Sequence, residues 1–375
     1  MCVSPPTYSL LLSCTHLSDD PGRYLCIAQQ ASAFTAWDCL AAEAEVHGLA
    51  PLVYTRLQAA GVSLPLAVKR ELQGLTVRHR LANQIRMQVL AEILTTFEAA
   101  GISALVLKGA ALSQLLYPHP GLRPMRDLDL LIKKAEARHA QNLLAELGFI
   151  APAPAASNLP DKHLPAAIRQ IEGVSVSVEL HHNLFNNDYH VSMTFEQVSD
   201  TALCFRLSGT PAYTLGYEEM LWHLCEHVTY HATIWEPIRL IWVADVVGFA
   251  ERFVNEINWS RLAYHYPHAL KVLSLFHFMT PLSETLRRRA GLKSVKALAG
   301  TGQEFDGWPR LSLAAQRDKG FRRILCDTFF PSAWWLRLHY RLDAGQPLFW
   351  YRWVVHPWRI VTWAGRYLRD RLQSK

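Results

Sequence analysis

The sequence predicts an α+β protein, in which a small α/β core is flanked by helical regions on both sides. Three observations support this fold class. Between residues 102 and 185, short apolar segments typical of strands alternate with helical segments. Before and after this stretch, apolar residues recur at the three- and four-residue spacing of helices. Half of the 375 residues are hydrophobic and 11% are aromatic, which excludes a disordered chain and allows two domains or one large one.

The N-terminal region, residues 1–85, is expected to be helical. Residues 28–59 are rich in alanine and space their apolar side chains as helices do. A second helix is predicted over residues 79–100, because Gly101 is a typical C-terminal stop. This helix leads into the core.

The core, residues 86–210, is predicted from three strand-like segments that are separated by two helical ones. In order they are the strand ISALVL (102–107), the helix AALSQLLY, the strand DLDLLI (127–132), the helix AEARHAQNLLAELG and the strand VSVSVELHHNLF (174–185). The last strand begins with strict alternation, with valine and leucine on one face and serine and glutamate on the other. Residues 151–165, between the second helix and the last strand, are expected to form a Pro/Ala-rich loop.

Residues 211–315 are predicted to form a helical domain, and residues 316–375 a basic C-terminal helical segment rich in Trp and Arg. From Lys319 to Lys375 there are 11 Lys and Arg but three Asp, a surplus larger than the +6 of the whole chain. Three interpretations are open: an amphipathic hairpin whose Trp side chains pack on the core, peripheral contact with an anionic membrane through 319–375, or nucleic-acid binding. Nucleic acid is not expected, because no recognised module is present.

Two carboxylates begin the strand DLDLLI. Asp127 and Asp129 are two residues apart and therefore point to the same face of the strand. Glu179 lies on the polar face of another strand, and a neighbouring strand is about 4.8 Å away, so a third carboxylate can reach the same point. Three acids from two strands can hold the divalent cations used in displacement at phosphorus, and their oxygen ligands suit Mg²⁺, or alternatively Mn²⁺.

Three further residues are predicted to contact phosphate groups. Lys108 and Gly109 follow the first strand, where a glycine lets the backbone approach a phosphate closely and the next helix begins. Arg123 lies just upstream of the aspartates, and its planar guanidinium matches phosphate oxygens. Together with the acids, these residues predict a metal and nucleotide site.

The sequence also resembles a known family. The segments LVLKGAALSQLLYPHPGLRPMRDLDLLI, LLAELGF and VSVELHHNL are similar to the uncharacterised nucleotidyltransferase family of the DNA polymerase β-like nucleotidyltransferase superfamily. The resemblance implies a small mixed β-sheet of that type, metal binding by Asp127, Asp129 and Glu179, and a role for Glu179 in deprotonating the acceptor. It also implies that Gly109 borders the nucleotide phosphates, although the superfamily usually has Gly-Ser where this sequence has Gly109-Ala110.

Several buried-type polar residues admit more than one interpretation. His223, His227 and His231 share one helix face, which allows zinc binding, a substrate contact, or a polar face packed against the core. His181 alternates onto the face of Glu179 and is expected to hydrogen-bond a carboxylate. Asp245, within an apolar helix, is expected to pair with Arg239 or a buried histidine.

These observations predict a metal-dependent nucleotidyltransferase. It would move an NMP group from an NTP, ATP by default, to a hydroxyl of an unknown acceptor and release pyrophosphate. The alternative is a catalytically inactive protein of the same fold that binds a nucleotide or docks a partner. Seven cysteines without zinc-type spacing are typical of reduced thiols, so a cytoplasmic protein is expected, with peripheral membrane contact as a variant of it.

Overall fold

The computed structural model describes residues 5–152, 162–185, 192–207, 209–233, 238–277, 280–292, 320–343 and 345–373. The helices of these residues are α1 (Pro5–Ser13), α2 (Pro21–Ser32), α3 (Trp37–Val46), α4 (Ala50–Ala59), α5 (Leu66–Ala99), α6 (Lys108–Leu115), α7 (Ala137–Glu146), α8 (Phe195–Val198), α9 (Tyr217–Thr233), α10 (Leu240–Arg252), α11 (Trp259–His265), α12 (Pro267–Phe276), α13 (Glu284–Arg289), α14 (Phe321–Phe329), α15 (Ala333–His339) and α16 (His356–Gln373). The strands are β1 (Ala104–Val106), β2 (Asp127–Ile132), β3 (Ala167–Ile171), β4 (Val174–His181), β5 (Leu203–Leu207) and β6 (Thr210–Thr214). Helices surrounding a small mixed sheet confirm the predicted fold class.

The central sheet has four strands in the order β1–β2–β4–β3. β2 and β4 run parallel at its centre, while β1 and β3 pair antiparallel at the edges. In the β2–β4 register, Asp129 lies directly opposite Glu179. β2 is buried from Leu128 onward, and β4 buries Val176, Val178 and Leu180, so the apolar alternation fixes which face each acid occupies.

Two features of the strands were not predicted. β3 joins β4 through Glu172 and Gly173, which both have positive φ (49° and 77°), as tight two-residue hairpins require. β5 and β6 form a separate two-stranded hairpin. The Thr214 hydroxyl donates to the Val106 carbonyl oxygen at 2.5 Å, which ties this hairpin to β1.

The N-terminal helices differ from the prediction in their bounds. Residues 28–59 are divided among α2, α3 and α4, and α5 begins already at Leu66 rather than at residue 79. A single interior glycine, Gly74, costs a helix only about 1 kcal/mol and does not end it. Gly101 does end α5, with φ of 73°. The expected boundary at residue 85 falls inside α5, and the four-part division of the chain stays a prediction.

The C-terminal segment packs partly on α9 and α12. Trp334 and Trp335 in α15 are fully buried, and their indole N–H groups donate to the carbonyl oxygens of Leu275 and Ala232. α15 thereby packs on α9, the helix that carries His223, His227 and His231. None of the described helices is long and apolar enough to cross a bilayer.

Candidate functional site: an acid cluster on two parallel strands

The structure brings two of the three predicted acids into direct proximity. Because Asp129 and Glu179 are register partners on adjacent parallel strands, their carboxylates project from the same face of the sheet. Asp129 is buried, with 4% of its side chain exposed, whereas 27% of the Glu179 side chain is exposed. Asp127 sits at the exposed first position of β2. The cluster therefore runs from the surface at Asp127 into the sheet at Asp129.

His181 joins the two acids. Its Nε2 lies 2.9 Å from Asp129 Oδ1 and 3.5 Å from Glu179 Oε2. The expected hydrogen bond from His181 to a carboxylate is confirmed. Its other ring nitrogen, Nδ1, is buried and has no hydrogen-bond partner, so the hydrogen bonds that orient the ring come from the side of the acids. Among the described residues, Asp129, Glu179 and His181 form the one group whose ligand atoms, all within 4.8 Å of one another, can hold a metal ion.

The ionisable groups of this cluster shift one another's pKa values. Burial alone would raise the pKa of Asp129, but the Lys108 ammonium and the His181 hydrogen bond hold that pKa well below its usual range. The separate interaction of His181 with Glu179 lowers the pKa of Glu179. The charge on Asp129 raises the pKa of Asp127. Oxygen donors that repel one another in this way fit a divalent cation such as Mg²⁺, which would relieve the repulsion.

Lys108 is the first residue of α6, and its side chain reaches the acid cluster. Its backbone has φ of 37°, a conformation that non-glycine residues rarely adopt. Its Nζ lies 3.4 Å from Asp129 Oδ1, and only 14% of the side chain is exposed. The sequence predicts a phosphate contact for Lys108. The structure places its ammonium at the acid cluster, and the phosphate contact stays a prediction.

Arg123 is held by a buried ion pair. Its Nε lies 3.0 Å from Asp245 Oδ1, and its Nη2 lies 2.6 Å from Asp245 Oδ2. The Tyr117 hydroxyl also donates to Asp245, at 2.8 Å. The expected pairing of Asp245 with Arg239 or a histidine was therefore wrong: the partner is Arg123, brought from the loop before β2. The remaining nitrogen, Nη1, lies 3.5 Å from the Pro124 carbonyl oxygen, and the predicted phosphate contact of Arg123 stays a prediction.

Gly109 lies against the same guanidinium. A Cβ atom at Gly109 would collide with Arg123 Nη1 and would touch Met125. The absence of a side chain is thus explained by the close approach of Arg123. The predicted role of Gly109 beside the nucleotide phosphates is not tested by this contact.

The histidines of α9 lie on one face, as predicted, but do not form a metal site. The ring centroids of His223 and His227 are 6.5 Å apart, and those of His227 and His231 are 4.4 Å apart. Within the described ranges, their nitrogens meet no metal-ligand geometry. Burial, followed by the Lys108 charge, holds the pKa values of His223 and His227 well below the usual range, so both rings are neutral at pH 7.

Comparison with known proteins decides the family. Residues 35–286, more than half of the chain, match the uncharacterised nucleotidyltransferase family. The chain belongs to this family. The resemblance seen in the sequence is thereby confirmed, and the protein is a nucleotidyltransferase.

Solved structures with some similarity include the crystal structure of ANT(2″)-Ia in complex with adenylyl-2″-tobramycin, at 12% identity, 48% coverage of this chain, 94% of that chain and a TM-score of 0.33. Another is an antigenic nucleotidyltransferase-like protein from Paracoccidioides brasiliensis, at 15% identity, 50% and 91% coverage, and a TM-score of 0.32. No curated protein matches the sequence.

Lys162 of this nucleotidyltransferase was not predicted from the sequence. The Lys162 carbonyl oxygen accepts from the backbone N–H groups of His182 and Asn183, which fixes the residue at the end of β4. Burial, and then the charge of Lys108, lower the pKa of Lys162 to about 8. Lys162 lies within the Pro/Ala-rich stretch 151–165, whose composition indicates only a loop, so no sequence pattern singles it out. In the structure, the ring of its neighbour His163 lies 5.0 Å from that of His181.

Proposed function

We propose that this nucleotidyltransferase holds Mg²⁺ or Mn²⁺ with Asp127, Asp129 and Glu179 and transfers an NMP group from an NTP, ATP by default, to a hydroxyl of an acceptor. The observation that carries the proposal is the pairing of Asp129 with Glu179 across two parallel strands, with the exposed Asp127 at the surface end of the acid cluster. Such carboxylate sets hold the ions that neutralise a triphosphate during displacement at phosphorus.

In the proposed reaction the acceptor oxygen forms a bond to the α-phosphorus, and the α–β phosphoanhydride bond breaks. Pyrophosphate leaves with the bonding electron pair, and the hydroxyl proton passes to a base. Glu179 fits the base because it is ionised and partly exposed, whereas Asp129 is buried and engaged by Lys108 and His181. A bound divalent cation would supply charge neutralisation for the triphosphate.

The test is pyrophosphate release from ATP, GTP, CTP or UTP, with Mg²⁺ and a cell extract as the source of acceptor. Replacing Asp127 or Asp129 by Asn should lower the rate by about 100-fold or more, since each substitution removes a charged ligand. Asp38→Asn, the same chemical change at an exposed position of α3, should leave the rate unchanged. Turnover that survives in the Asp127→Asn/Asp129→Asn double variant would refute the assignment.

The inactive alternative predicts a different result. A protein that only binds nucleotides would bind ATP and Mg²⁺ in calorimetry but release no pyrophosphate with any acceptor. Binding of ATP together with labelling of an extract component supports transfer. If the label appears on the chain itself, the acceptor hydroxyl belongs to a protein side chain.

Peripheral contact with an anionic membrane surface is a second proposal, and an exposed face of the C-terminal segment supports it. Trp350, Trp353 and Trp358 are 63%, 54% and 69% exposed, unlike the buried Trp334 and Trp335 of α15. Single exposed apolar residues are ordinary, but three neighbouring indoles are not. The exposed arginines Arg359, Arg366 and Arg369 follow in α16, and their charge complements anionic headgroups.

Vesicle flotation tests this second proposal. The full chain should float with phosphatidylglycerol vesicles at low salt and remain unbound with phosphatidylcholine alone. Replacing Trp350, Trp353 and Trp358 by Ser should abolish flotation, whereas Ser at Tyr264, which is 82% exposed elsewhere, should not. Absence of flotation at low salt ends the membrane proposal, and retention by polyanionic RNA instead would assign the surface to nucleic acid.

A further inference from the structure

A small pocket adjoins the acid cluster at the end of β4. It is lined by Lys162, Phe185, His223, Glu226, His227 and Tyr230. Phe185 follows His181 along the same stretch of chain, and Lys162 is bonded through its carbonyl oxygen to the backbone of the two residues after His181. The pocket is therefore built onto the same strand that carries Glu179. A molecule bound in it would lie beside the proposed base.

The pocket contains an unsatisfied buried group. His223 is 2% exposed, and neither of its ring nitrogens has a hydrogen-bond partner. A buried polar group without a partner costs about 1–3 kcal/mol, so a fold retains it rarely without a use. The Phe185 ring, 6.0 Å away between centroids, packs on its side and offers no such partner.

The pocket also carries unbalanced positive charge. Its acid, Glu226, is already bonded to His268 at 2.6 Å and to Arg341 at 3.0 Å, with the Trp222 indole as a third donor. Lys162 lies 5.8 Å from the centre of the Tyr230 ring, which supports the ammonium without neutralising it. The negative charges of Asp129 and Glu179 partly compensate the positive charges of Lys162 and Lys108, but a bound metal ion would neutralise those carboxylates.

We infer that this pocket, about 20 Å³ in volume, holds the anionic group of the acceptor, a phosphate or carboxylate bound by Lys162 and His223, and that the acceptor carries its own hydroxyl outside the pocket. The inference rests on the proposed nucleotidyl transfer. An anionic group would accept hydrogen bonds from the Lys162 ammonium and from the single N–H of the neutral His223 ring, and would satisfy both donors at once. A polycationic acceptor would instead meet two ammonium groups, those of Lys108 and Lys162.

Four six-carbon sugar derivatives that differ in charge test the charge of the acceptor. The full chain, saturated with Mg²⁺ and α,β-methylene-ATP, is titrated in a calorimeter with glucose 6-phosphate, gluconate, glucose and glucosamine. At least one of the two anions should bind about tenfold or more tightly than both glucose and glucosamine, since a charged hydrogen bond contributes about 1.5–3 kcal/mol. Binding of the phosphate ester alone or of gluconate alone distinguishes the two kinds of anion.

Matched variants locate the binding. His223→Leu and Lys162→Met should each weaken binding of the anion about tenfold or more without changing the affinity for the ATP analogue. The controls are His265→Leu and Lys134→Met, which make the same changes at exposed positions. Circular dichroism checks folding, and His223→Gln replaces His223→Leu if the latter unfolds.

Three results would overturn the inference: neutral or cationic hexoses bind as well as the anions, no anion binds, or both pocket variants leave anion binding intact. Failure of the proposed function gives a separate signature, because it appears as absent binding of the ATP analogue or as Asp127→Asn and Asp129→Asn variants with normal turnover. Anion binding to the chain without nucleotide can still be measured in that case, so the two failures are distinguishable.

Discussion

The buried pair between Arg123 and Asp245 makes the sharpest prediction about stability. Asp245→Asn keeps the size of the side chain but removes its charge, so that the guanidinium of Arg123 loses its counter-ion inside the protein. Asp245 raises the pKa of Arg123 above its ordinary value against the effect of burial, and arginine does not deprotonate in any case. Breaking such a pair on one side costs about 3–5 kcal/mol.

Urea denaturation, followed by circular dichroism, measures the loss. We expect Asp245→Asn to lower the free energy of unfolding by about 3 kcal/mol, the lower end of that range because the amide oxygen still accepts one bond. Tyr117→Phe removes the 2.8 Å bond to the same carboxylate but leaves the ion pair, and should cost about 1 kcal/mol. Asp38→Asn should have no effect.

A double variant separates the charge from the packing. Arg123→Met combined with Asp245→Leu removes both charges together, so its cost should be well below the sum of the two single costs. A stability of Asp245→Asn within about 0.5 kcal/mol of the parent would refute the reasoning, because it would show that Arg123 reaches solvent or another anion. Additive single effects would refute it as well.

Three further predictions concern the site itself. Lys162→Met should raise the free energy of unfolding at pH 7. This gain over the parent should shrink between pH 8 and about 10.5, because the unfolded chain there binds more protons at Lys162 than the folded one. Urea curves at several pH values measure the gain, and a gain that does not change with pH contradicts the prediction. Gly109→Ala should lower the free energy of unfolding by about 1–3 kcal/mol, because the added methyl group displaces Arg123. Gly74→Ala, in open space within α5, should instead raise it by about 0.5–1 kcal/mol. Equal effects of the two variants would contradict the close approach of Arg123 to Gly109. His181→Leu should weaken Mg²⁺ binding about tenfold, measured as the Mg²⁺ concentration for half-maximal pyrophosphate release, and tighter binding would show that His181 competes with the metal.

Local patterns were sufficient to predict the central part of the site. The bounds of β2 agree with the segment DLDLLI, and the alternation of β4 places Glu179 on the face opposite to Val178 and Leu180. Both features have a period of two residues and need no information from distant parts of the chain. The hydrogen bond from His181 to a carboxylate follows from the same alternation.

Contacts between distant segments could not be predicted in this way. Arg123 and Asp245 come from different parts of the chain, and nothing near either residue names its partner. β3, β5 and β6 have only five residues each, so each offers two or three alternating positions, too few to distinguish a strand from a loop by pattern alone. Lys162 becomes informative only when β4, α6 and α9 are assembled around it.

The register of β2 against β4 links the core to the proposed chemistry. A slip of one residue would place Leu180 opposite Asp129 and turn Glu179 to the other face, where Val178 is now fully buried. That slip would bury a carboxylate and expose valine, so the apolar face excludes it. The packing of the sheet therefore holds the carboxylates of Asp129 and Glu179 together against their own repulsion. No attraction between these acids is needed, because the free energy that opposes their separation comes from the apolar side of the same two strands.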